Sequence, residues 1–125
     1  AQRADQALRA GRSCYRHLAG RLGVALCGGL VDHGYVSPAW TLTDAGERWL
    51  ESIDVRLPAA SRRPLLRPCL DWTERREHLA GVVADELLTT FTRHGWVDRS
   101  PGSRAVRLTD TGREVLGRLL PEGAC

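Results

Sequence analysis

The sequence predicts a mainly helical α+β fold, built as a tandem repeat of two helix–hairpin–helix units about a pseudo-twofold axis. Three observations carry this. Residues 17–36, HLAGRLGVALCGGLVDHGYV, match residues 78–97, HLAGVVADELLTTFTRHGWV, at eight of 20 positions with an offset of 61. LTDAGERWL (42–50) matches LTDTGREVL (108–116) at five of nine positions with an offset of 66. Across those blocks both copies carry the same punctuation: an amphipathic run, a His-Gly stop, a turn, and a Thr-Asp helix start.

In the first copy, Leu18, Leu22, Ala25, Leu26, Gly29 and Leu30 fall on one helical face. The predicted helix begins near Cys14. His33 and Gly34 end it, with glycine supplying the left-handed C′ position. Tyr35-Val36 and Trp40-Thr41-Leu42 flank Ser37-Pro38-Ala39 as a short hairpin. Thr43 caps the next helix, with Asp44 in its first turn, where the helix dipole favours an acid. That helix carries Trp49 and Leu50 and ends before Pro58.

Residues 57–69, LPAASRRPLLRPC, hold three prolines and read as an irregular linker. The second copy then starts with Asp71 and Glu74 spaced as a capping box. A helix over about 72–94 follows, with Leu79, Val83, Leu87, Thr90 and Phe91 on one face. A longer hairpin turns at Ser100-Pro101-Gly102-Ser103, and Thr109-Asp110 opens the last helix. The whole chain, 1–125, is one domain: repeat 1 about 12–56, linker 57–69, repeat 2 about 70–120. A helix, a hairpin with a YxLTxxG-like exit and a second helix make each unit winged-helix-like.

Composition narrows the function classes. With 42% apolar residues, 125 residues suffice for one packed core. No apolar run is long enough for a membrane span or a signal peptide, so a cytoplasmic protein with no membrane partner is expected. All 18 basic residues are arginine, and against 15 acids the net charge is only +3. That balance alone does not indicate nucleic acid. With no methionine, the chain is expected to be a fragment or a processed product. Cys14, Cys27, Cys69 and Cys125 are scattered and form no CxxC pair, which excludes a zinc ribbon or a thioredoxin motif. Neither GxSxG, a P-loop, GxGxxG nor HExxH is present, so an enzyme is not expected.

Two motif clusters carry candidate chemistry. The first is a ligand site of Cys14, Tyr15, His17, Cys69, Asp71, Trp72, Arg75 and His78. The copies differ most where these residues lie: CYRH in one, CLDWTERREH in the other. Tryptophan offers a stacking face and arginine an anion partner, so the expected effector is a small organic molecule with an aromatic or anionic part. No cofactor is expected. The alternative is zinc on Cys14, His17, Cys69 and His78, whose side chains are zinc-ligand types. The second cluster is Arg99, Arg104 and Arg107 around the later hairpin, the alternative DNA contact by a wing touching phosphates. Gly20 and Gly81, matched and expected inside helices, imply close helix crossing or a ligand against bare backbone.

The segments CYRHLAGRLGV (14–24), RPCLDWTERREHLAG (67–81) and SRAVRLTDTGREVL (103–116) together resemble the C-terminal half of a group of actinobacterial ArsR-type transcriptional regulators. The resemblance runs from Arg12 through nearly all of the chain. It implies an effector-sensing or dimerisation domain of a cytoplasmic repressor, a homodimer, and DNA bound through an N-terminal helix-turn-helix domain not in this chain. The alternatives are a stand-alone winged-helix DNA-binding protein, or a Cys/His metal or redox sensor.

Overall fold

The computed structural model describes residues 2–14, 16–58 and 65–120. Helix α1 (Gln2–Ala10) leads through Gly11 into an antiparallel hairpin of β1 (Arg12–Cys14) and β2 (His17–Ala19). Helix α2 (Gly20–Asp32) follows at once. A turn closed by one bridge, Val36 to Leu42, then leads to α3 (Asp44–Ser52). A longer hairpin pairs β3 (Arg67–Asp71) with β4 (Arg76–Ala80), and α4 (Val82–Arg93) continues from it. A third hairpin, β5 (Val97–Arg99) with β6 (Val106–Leu108), and α5 (Asp110–Leu116) complete the described elements.

The core explains why these elements pack as they do. Helix α2 lies on β4 and α4 lies on β2, so each long helix covers a strand from the other half of the chain. Leu22, Leu26, Leu30, Leu87, Phe91 and Leu108 fill the centre, all buried. Burying each such side chain contributes roughly 1.5–3 kcal/mol. The third hairpin is tied to the first: Ser13 N–H donates to the Arg104 carbonyl at 2.8 Å, and Val106 N–H donates to the Gly11 carbonyl at 2.9 Å.

Matched local devices recur. His33 and His94 end α2 and α4, each followed by a glycine with φ of 72°. Thr43 and Thr109 cap α3 and α5, accepting from the Gly46 and Gly112 amides at 3.0 Å. Each threonine hydroxyl also donates back to the carbonyl of Gly34 or Gly95. At Gly46 and Gly112 a Cβ would run into the Tyr35 and Trp96 carbonyls, so these helix starts press directly on the preceding turn.

The structure corrects the expected starts of the long helices. They begin at Gly20 and Val82, not near Cys14 and Asp71. The segments before them are β-hairpins, and Leu18 and Leu79, read as helical, are strand residues. Gly20 (φ 72°) and Gly81 (φ 100°) therefore stand at strand-to-helix junctions rather than inside helices. Positive φ halts any helix running in from upstream and is accessible to glycine at little cost. Asp71 and Glu74 form no capping box: Asp71 ends β3, and its carboxylate accepts from the Thr73 and Glu74 amides, closing the turn to β4. Of the expected linker, residues 67–69 belong to β3 and 59–64 lie outside the described residues. Helix α1 had no counterpart in the sequence expectations.

Candidate functional site

Two hairpins build the site. In the first, Cys14 lies directly opposite His17; in the second, Cys69 lies directly opposite His78. Residues paired across antiparallel strands project from the same face. Each hairpin thus presents one cysteine and one histidine side by side, and the fold turns the two faces together. One ligand atom from each of Cys14, His17, Cys69 and His78 lies within 4.8 Å of all the others. His17 Nε2 and His78 Nε2 are 3.0 Å apart. Both histidines are buried, and Cys14 and Cys69 are half-buried.

Behind this face sits a buried carboxylate. Asp71, 0% exposed, receives six donors. His78 Nδ1 donates to Oδ2 at 2.9 Å and the Gly20 amide to the same oxygen at 2.6 Å. Arg12 Nη2 (3.2 Å), the Thr73 hydroxyl (2.6 Å), and the Thr73 and Glu74 amides reach Oδ1. Burial alone would raise the Asp71 pKa. The Thr73 and Gly20 hydrogen bonds and the Arg12 guanidinium outweigh it and hold the carboxyl well below the usual range. The ionised carboxylate fixes the proton of His78 on Nδ1, leaving a lone pair on Nε2. Burial also pushes the His78 pKa down, which the Asp71 carboxylate only partly offsets. On the far side, His17 Nδ1 stands 4.0 Å from Asp85 Oδ1. Burial raises the Cys69 thiol pKa, and the neighbouring Cys14 thiol raises it further.

Of the residues expected to form a ligand site, Cys14, His17, Cys69, Asp71 and His78 thus form one cluster. Trp72, 72% exposed, sits on the turn above it with its ring 5.2 Å from the Arg12 guanidinium carbon. Arg75 is exposed on the same turn with φ of 53°. Tyr15 lies outside the described residues. Two open grooves, of about 540 and 640 Å³, are lined by none of the described members of this group. The alternative DNA-contact residues share the β5–β6 hairpin: Arg99 donates to Ser13 Oγ, Arg107 pairs with Asp98, and Arg104 is exposed.

Sequence reasoning passed over Arg12 and Thr73. Arg12 is 3% exposed, an uncommon place for arginine unless paired. A signal for it exists. Arg12-Ser13-Cys14 and Arg67-Pro68-Cys69 are both R-x-C, at an offset of 55 rather than 61. The six-residue difference is the longer second hairpin, which adds two strand pairs, Leu70–Glu77 and Asp71–Arg76, and a turn two residues longer. The repeat therefore extends upstream of the histidines through a change of offset.

No family model matches the chain, and no solved structure matches it. Over 107 residues it is 34% identical to YdfF of Bacillus subtilis (strain 168), described as an uncharacterized HTH-type transcriptional regulator. The match takes in 82% of this chain and 47% of YdfF, so the chain spans about half the length of that relative. The similarity is to a regulator rather than to an enzyme, and it relates this chain to the transcriptional regulators of the helix-turn-helix type.

Proposed function

We propose that the chain is the sensing or dimerising part of a cytoplasmic transcriptional repressor of the ArsR type, with DNA read by a helix-turn-helix segment outside these residues. The observation that carries this reading is the similarity to YdfF, which covers most of this chain yet only about half of the regulator. The surface agrees. The exposed side of α3 presents Asp44, Glu47 and Glu51 against one arginine, Arg48, which suits neither phosphates nor a groove. Of the hairpin arginines, Arg107 is engaged by Asp98 and Arg99 by Ser13. An organic effector would meet the exposed Trp72 and Arg75, directly above the Asp71 cluster.

The second reading is a stand-alone winged-helix DNA binder, favoured by the exposed Arg104 beside Arg107 on the β5–β6 hairpin. In vitro selection from random duplexes, followed by titration of the enriched DNA, separates the two. The sensing reading expects no enriched motif and only weak, steeply salt-dependent binding, as phosphate-only contacts give. Nanomolar binding that survives about 200 mM salt and is lost in Arg104→Ala establishes the second reading instead.

A further inference from the structure

We infer that the two hairpins form a tetrahedral site for a zinc-class divalent ion, held by Cys14 Sγ, His17 Nε2, Cys69 Sγ and His78 Nε2. Four observations converge on it. The ligand atoms already lie within 4.8 Å of one another. Around a zinc ion with bonds of about 2.0–2.3 Å, such atoms stand roughly 3.3–3.8 Å apart, so side-chain adjustment alone closes the shell. The donors come as two cross-strand Cys–His pairs, which fixes their mutual orientation through backbone register. Two thiolates and two imidazoles select zinc over magnesium or calcium, and the two thiolate charges neutralise the ion.

The fourth observation concerns the residues behind the ligands. A ligating histidine ordinarily donates its other nitrogen to a carboxylate or carbonyl, which fixes the tautomer and aims the free lone pair. Asp71 does this for His78 at 2.9 Å, and Asp85 stands behind His17 at 4.0 Å. The lone pair of His78 Nε2 faces into the cluster, at the very atom 3.0 Å from His17 Nε2. With all four positions filled by the protein, the ion has no open coordination site, so its role is structural: it clamps the first hairpin to the second. This inference stands apart from the regulatory role, since metal binding is read without DNA.

The test is a cobalt and zinc titration of the reduced, chelator-treated chain, with folding followed by circular dichroism. One ion per chain is expected. Cobalt should give the intense visible bands of a tetrahedral site and a near-ultraviolet thiolate charge-transfer band, both abolished by one equivalent of zinc. Cys14→Ser should lose about half of the charge-transfer intensity, and the double Cys14→Ser, Cys69→Ser variant all of it. Asp71→Asn should keep the spectrum and weaken cobalt affinity about 10–100-fold. X-ray absorption of the zinc-loaded unmodified chain, expected to show two sulfur and two nitrogen neighbours, keeps the question decidable if a variant does not fold. Absence of stoichiometric binding by the folded chain overturns the inference. So does a charge-transfer band that survives in the double variant, or a zinc shell made of oxygen.

Discussion

His17 and His78, separated by 61 residues, meet nitrogen to nitrogen at 3.0 Å, each from the second strand of its own hairpin. His78 has the Asp71 carboxylate in direct contact, and Asp71 also receives Arg12 from β1 and the amide that opens α2. The cluster is therefore a junction between the two halves of the chain, and its polar contacts hold both hairpins in place.

Removing Asp71 should cost more than its own contacts. Asp71→Ala leaves the Arg12 guanidinium buried without its anion, and breaking one side of a buried pair typically costs about 3–5 kcal/mol. Urea denaturation should show a loss in that range. A loss under about 1 kcal/mol would mean that water reaches Arg12 and replaces the carboxylate.

Two helical glycines should respond in opposite directions. Gly112→Ala drives a Cβ into the Trp96 carbonyl and should destabilise by about 1–3 kcal/mol. Gly28 lies inside α2 with nothing within 4 Å of the added atom. Gly28→Ala should stabilise by about 0.5–1 kcal/mol through helix propensity. Thermal melts of both variants check the pair, and a destabilised Gly28→Ala would contradict the described packing of α2.

Cys27 should be chemically silent where an ordinary thiol reacts. Burial, with Glu77 nearby, pushes its pKa up to about 11 from 9.0. At pH 8 only about one molecule in a thousand is then thiolate, so alkylation of the native chain should be far slower than in denaturant. The sign for stability follows from linkage. The fold favours the neutral thiol, so this contribution is fully present below about pH 9 and is lost as pH rises toward about 11. Denaturation midpoints of the native chain and Cys27→Ala, compared across that window, should converge.

Trp72 should matter little to stability. It is 72% exposed and meets the Arg12 guanidinium from outside. A cation–π contact at an exposed site is worth about 0.5–1 kcal/mol, and Trp72→Ala should cost no more than that. A cost several times larger would place Trp72 in the core.

Much of this was legible beforehand. The helix stops at His33-Gly34 and His94-Gly95, the Thr43 and Thr109 caps and the β5–β6 turn all announce themselves locally, through residues whose backbone or hydroxyl chemistry has one use. The first two hairpins do not. Tyr15-Arg16 carries no glycine, proline or asparagine, and Leu18 with Leu22 mimics a helical face across a strand–helix boundary. The cluster's membership was readable from residue types, because cysteine, histidine and aspartate crowd into two short segments. Its backing was not: Arg12 and Thr73 matter only once the chain has folded them onto Asp71.

The cross-strand pairs also set the order in which the site can come into being. Each hairpin is local and closes within microseconds, but the two faces meet only after the intervening chain, with α2 and α3, has collapsed. Closing a loop of that size has an entropic cost that grows only slowly with length, yet it must be met before any long-range contact repays it. During synthesis, a chain emerged only as far as α3 holds Cys14 and His17 but neither of their counterparts. The arrangement thus reports on completeness of the fold: the four side chains are neighbours only in a molecule whose second half has already found its first.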